Sequence, residues 1–274
     1  MTKTTCGLAV IALLATAGAA HGQMLSANAY QMNARFFNDF AGSTLTINGV
    51  DQPVPATYPL PLGSLHINEQ FPQGIAGNFA NKHIGYFSAD GGTTALGTDV
   101  SQSFTLSFDV HMTAGDASTR KEAGIEIHQP RPILGYTDEG QVLIASDGEV
   151  AVFGATLPFT GFGSPTYTIG TTAHVQFNYF APGSVDPTLG AYQLIFTDSV
   201  TGVHDSGYKI WGSAEPDGIV GMTNALVGLK LQNQRNPFIA DSSDVVYSNV
   251  SIVPTPGALS LLGLAGLAVS RRRR

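Results

Sequence analysis

The chain has 274 residues, of which 12% are charged, with 13 basic residues against 20 acidic ones and a formal net charge of −7. Lys3 and Arg271 to Arg274 stand near the ends, so the body between holds eight basic residues against all 20 acidic ones, about −12. A body this acidic excludes nucleic-acid binding by counterion release, and its low charged share leaves solubility to Ser, Thr, Asn, Gln and Gly.

Met1 to Gly22 reads as a secretory signal peptide: Lys3, an apolar run from Gly7 to Ala15, then small residues ending Ala19-Ala20-His21-Gly22. Signal peptidase is expected to cut after Gly22, leaving Gln23 first. Cys6 is the single cysteine and leaves with that segment. The exported protein then has no disulfide and rests on its own core.

The remaining body, 23–253, is long enough for one large domain. Ser103 to His111 alternates with period two, Phe104, Leu106, Phe108 and Val110 on one face, and His174 to Tyr179 repeats the pattern. Gln141 to Ser146 and Glu149 to Phe153 flank Asp147-Gly148, a hairpin signal; a two-residue turn there sets Leu143 opposite Val152. Further strands are expected at Leu45–Val50, His83–Ser88, Ala123–His128, Ala191–Thr197, Gly207–Trp211, Ala225–Gln232 and Asp244–Val253. No repeat of fixed period appears. About a dozen short strands without a long helix predict an all-β fold, a two-sheet antiparallel jelly-roll sandwich.

Glu122, Glu126 and His128 share one face of their strand. Glu122 and Glu126 then stand about 13 Å apart on a straight strand, too far for a glycosidase carboxylate pair. No His-Glu-x-x-His, Gly-x-Ser-x-Gly or phosphate-binding loop is present. Asp90-Gly91-Gly92 and Asp138-Glu139-Gly140 offer oxygen ligands for calcium, but ordinary acidic turns account for both, so no catalytic residue, metal site or cofactor is assigned. A polar groove for glycan hydroxyls is expected if Glu126 and His128 converge with His174, Gln176 and Asn178 on one concave sheet.

From Gly257 to Ser270 the chain is uncharged and apolar, with Leu261, Leu262, Leu264 and Leu267 supplying most of the surface. As a helix it reaches roughly 21 Å, and Arg271, Arg272, Arg273 and Arg274 hold its end in the cytoplasm. Pro254-Thr255-Pro256, this apolar segment and the basic end together resemble the PEP-CTERM sorting signal handled by exosortases, with Thr255 where that signal usually has Glu. The resemblance implies processing near Pro254, Thr255 and Pro256 by an exosortase-like enzyme, transient anchoring in the inner membrane by a helical tail over 254–274, and delivery to the cell surface or extracellular matrix. The run of strands closing on Asp244–Val253 is similar to concanavalin A-like lectin and glucanase domains. The functional expectation is a noncatalytic surface or matrix protein, with exopolysaccharide as a partner. A lectin-like glycan-binding module and a glycan hydrolase are the alternatives.

Overall fold

The computed structural model describes residues 24–255 apart from 78, 117, 132–133, 156, 213–218 and 236–237. The signal peptide with Gly22 and Gln23, Pro256, and the apolar tail lie outside the described residues. Seventeen strands follow a 3-10 turn at Met24–Ser26: β1 (Ala29–Asn38), β2 (Thr44–Ile47), β3 (Val50–Asp51), β4 (Ala56–Pro61), β5 (Leu65–Phe71), β6 (Asn81–Ser88), β7 (Phe104–Ala114), β8 (Lys121–Arg131) and β9 (Tyr136–Ala145). The chain continues through β10 (Val150–Gly154), β11 (Thr160–Gly161), β12 (Thr172–Phe180), β13 (Ala191–Asp198), β14 (Gly202–Asp205), β15 (Lys209–Ile210), β16 (Leu226–Asn233) and β17 (Asp241–Pro254). Among the described residues no helix is long and apolar enough to cross a membrane.

The strands form the predicted jelly-roll sandwich. One sheet runs β11-β10-β9-β8-β16-β6-β1-β4; the other runs β14-β13-β12-β7-β17-β5-β2-β3, with β15 also on β13. All named strand pairs are antiparallel. Alternation fixes the faces: Phe104, Leu106, Phe108 and Val110 of β7 meet Ile125 and Ile127 of β8 and Leu229 and Leu231 of β16 in one core. Phe108 is fully buried and stacks edge-on against Tyr247. Phe108→Ala is therefore expected to cost about 3–5 kcal/mol in denaturant unfolding, and the melting temperature should not respond to reductant.

Two turns differ from expectation. Asn48 and Gly49 both have positive φ, 49° and 78°, and they close a two-residue hairpin that splits the predicted Leu45–Val50 strand into β2 and β3. At Asp147-Gly148 only Gly148 has positive φ, so Ser146, Asp147 and Gly148 form a three-residue loop. Leu143 accordingly faces Ala151 rather than Val152, a one-residue change of register. Pro254, expected in the turn that opens the tail, is instead the last residue of β17, paired with Phe104.

Candidate active site

The outer face of the eight-stranded sheet gathers the candidate chemistry. Gly228 of β16 pairs with Glu126 of β8 on one side and Tyr86 of β6 on the other. Having no side chain, it leaves Tyr86 room to lean across the strand. A Cβ at Gly228 would stand 2.9 Å from the Tyr86 Cα.

The Tyr86 hydroxyl lies 2.5 Å from His128 Nδ1, and His128 Nε2 lies 3.1 Å from Glu126 Oε1. This order assigns the tautomer: Tyr86 donates to Nδ1, and Nε2–H donates to Glu126. Glu126 is fully buried, with the Lys230 ammonium 3.2 Å from its second oxygen and Lys82 3.5 Å from its first. Burial alone would raise the Glu126 pKa, but Lys230, the His128 hydrogen bond and Lys82 outweigh it and hold the carboxylate ionised. Burial, and then the Glu126 charge, push the Tyr86 phenol up, so it stays protonated.

The backbone beneath is locked from across the core. The Gly124 N–H donates to the Tyr247 hydroxyl at 2.7 Å, and that hydroxyl donates to the Lys230 carbonyl. Gly124 has φ of 122°, and a Cβ there would meet the Val142 carbonyl oxygen at 2.0 Å, so the position tolerates glycine alone.

Phe36 of β1 is three strands from β8, about 14 Å between backbones, and its side chain leans across so that its ring centroid lies 5.4 Å from that of His128. A groove of about 460 Å³ adjoins the acid–base chain, lined by Phe36, Phe37, Phe79, Lys82, Glu139, Gln141, Phe153 and Gln232. The irregularity in β1 between Asn33 and Phe37 produces it. Arg35, at φ of 55°, turns inward to Ser43 and the Gln52 carbonyl, while Phe36 and Phe37 are left half-exposed. A larger hollow of about 790 Å³ lies near Trp211, Tyr136, Arg131 and Asp138, where Arg131 and Asp138 pair with each other. Tyr86, His128 and Glu126 do not line the smaller groove themselves; it reaches them through Phe36, which packs on His128, and Lys82, which pairs with Glu126.

Oxygen and nitrogen ligand atoms of Glu126, His128 and Glu139 come within 4.8 Å of one another, a spacing open to a metal ion. Lys82 pairs with both Glu126 and Glu139, so an ammonium already supplies the positive charge there. Asp90 accepts from Ser88, from the Thr93 and Thr94 backbone and from the Thr94 hydroxyl. Its oxygens serve their own turn.

Glu126 and His128 are on one face as alternation predicted. His174, Gln176 and Asn178 are not near them: β12 belongs to the other sheet, and their faces look out from opposite sides of the sandwich. The expected convergence of the five residues is corrected accordingly. His174 bonds Asp109, Gln176 donates to Asn178, and Asn178 bonds Thr105 and Gln193, a polar ladder whose members satisfy one another. Sequence reasoning did not single out Tyr86, Lys82, Lys230 or Phe36, and it named Glu139 only within the acidic turn Asp138-Glu139-Gly140. Lys230 carried a signal, a lone cation inside the alternation of Val227, Leu229 and Leu231.

No known family profile matches the chain, and no curated protein matches it. Among solved structures, the chain is similar to a family 7 alginate lyase in complex with substrate, at 10% identity and a TM-score of 0.44, over 84% of this chain and 94% of that one. It is similar also to a PL-14 alginate lyase from Aplysia kurodai, at 9% identity and a TM-score of 0.39, over 70% and 83%, and to the lectin UEA-II complexed with galactose, at 9% and 0.40, over 80% and 97%. The two-sheet jelly-roll sandwich stands on the chain's own strand order. The expectation of a noncatalytic protein is corrected here, because several of the similar structures are alginate lyases.

Proposed function

We propose that the protein is a polysaccharide-cleaving enzyme that holds a glycan chain along the groove of the eight-stranded sheet. The observation that carries this reading is the single hydrogen-bonded line from Tyr86 through His128 to Glu126 beside an aromatic-lined groove. In such a line the carboxylate fixes the tautomer and orientation of the imidazole, which in turn aims the phenol, the positioning logic of a hydroxyl–His–carboxylate triad. Tyr86, kept protonated, is the donor to a leaving oxygen. Glu139, with a half-exposed side chain, is the carboxylate facing the bound chain.

The test is release of reducing ends from a panel of neutral and uronate polysaccharides, together with the ultraviolet absorbance of an unsaturated uronate, which only elimination produces. Wild type is expected to release ends and His128→Ala to release none. A wild type that binds glycan without turnover would leave a lectin-like module and sink the catalytic reading.

The PEP-CTERM-like tail and the signal peptide support delivery to the cell surface or matrix after transient anchoring in the inner membrane, with signal peptidase and an exosortase-like enzyme as processing partners. Protein released from the native envelope is expected to lack both ends. Intact-mass measurement that finds Arg271 to Arg274 still attached would reject the tail cleavage.

A further inference from the structure

We infer that the glycan is neutral, and that its cleavage is hydrolysis. This rests on the groove reading above and concerns its substrate class. A polyuronate carries a carboxylate on every residue, and a site for it needs cations left over to meet them. The body has eight cationic residues, and six are in ion pairs with its own carboxylates. Lys82 pairs with Glu126 and Glu139, and Lys230 with Glu126. Arg120 holds Glu122, Asp147 and Glu149. Arg35, Lys121 and Arg131 pair with Glu69, Asp241 and Asp138.

The seventh, Arg235, lies over the Phe40 ring and donates to the Pro72 and Ile75 carbonyls. Lys209, the eighth, stands on β15 in the opposite sheet. To engage a uronate, Lys82 or Lys230 would have to leave Glu126, taking from a buried carboxylate one of the two ammonium groups that neutralise it, a costly exchange.

What the groove does offer is ring faces and amides. Phe36, Phe37 and Phe79 are 51%, 44% and 54% exposed, and Gln141 and Gln232 line the same groove. Apolar sugar faces stack on such rings while hydroxyls meet the amides. Elimination is then closed, since it requires a carboxylate beside the proton being removed. In hydrolysis the C1–O bond breaks, the leaving oxygen gains a proton, and the hydroxyl of water bonds to C1, so no further co-reactant is needed.

The experiment is native affinity electrophoresis of the full-length chain in detergent, through gels containing either a neutral β-glucan or a polyuronate, at low and high salt. The β-glucan is expected to retard the protein equally at both salt levels. The Phe36→Ala/Phe37→Ala variant should weaken that retardation about tenfold, while melting like wild type because both side chains are half-exposed. Tighter binding to the polyuronate, stripped by salt, would overturn the neutral class and leave the groove intact. Binding to neither polymer would overturn both the inference and the groove itself.

Discussion

Replacing Glu69 by Ala is expected to destabilise the fold by about 3–5 kcal/mol, the range for breaking a buried charged pair. Glu69 points inward from β5 and is fully buried. It reaches the other sheet, where His83 Nε2 lies 3.0 Å from it and Asn81 and Asn233 each donate to it at 2.6 Å. Ser43 donates as well, at 2.6 Å, and Arg35 stands 3.8 Å away. Burial would raise its pKa, but the His83 charge and the hydrogen bonds from His83, Ser43 and Asn81 outweigh that and lower it from 4.5 to about 2.

A depressed folded pKa makes a contribution that is complete above pH about 4.5 and is lost as pH falls toward about 2, some 3 kcal/mol in all. Urea unfolding of wild type and Glu69→Gln at pH 7 and pH 3 reads it. The wild type should lose more stability on acidification than the variant. Equal losses in both would remove Glu69 from the acid response.

Tyr86→Phe is expected to lower kcat by about 10²–10⁴, the range for a positioned general acid, with little change in KM. The ring packs on His128 at 5.6 Å between centroids, and phenylalanine preserves that contact while deleting the proton. Because burial and Glu126 hold the Tyr86 phenol protonated, the wild-type rate should not fall through deprotonation of this group as pH is raised through the ordinary tyrosine range. A variant within a few-fold of wild type would assign the proton to another group.

Much of the sandwich was legible because alternation is local. Phe104 to Val110 and Val175 to Tyr179 announce which side faces the core, whatever their neighbours. Turn register was less legible: Asp147-Gly148 and Asn48-Gly49 present nearly the same dipeptide, and the conformation adopted in place, with one positive φ at the first and two at the second, decides which closes a two-residue hairpin. The site was half legible for the same reason. Glu126 and His128 follow from one strand's alternation, whereas Tyr86 and Lys230 join them only through the order β8-β16-β6 and the gap at Gly228. Nothing local in β12 says that it belongs to the opposite sheet, and so His174, Gln176 and Asn178 were grouped with the wrong face.

The margins of the two sheets have a consequence for life at high concentration. On the eight-stranded sheet one margin is β4, whose six residues include Pro59 and Pro61, and the other is β11, two residues long. The nine-stranded sheet ends in β14 and β3, of four and two residues. Proline is tolerated at such a margin where its missing N–H would face solvent, and short or donor-poor borders give another chain little to pair with. Copies brought together at high concentration therefore find little backbone at these margins through which one sheet could extend into the next.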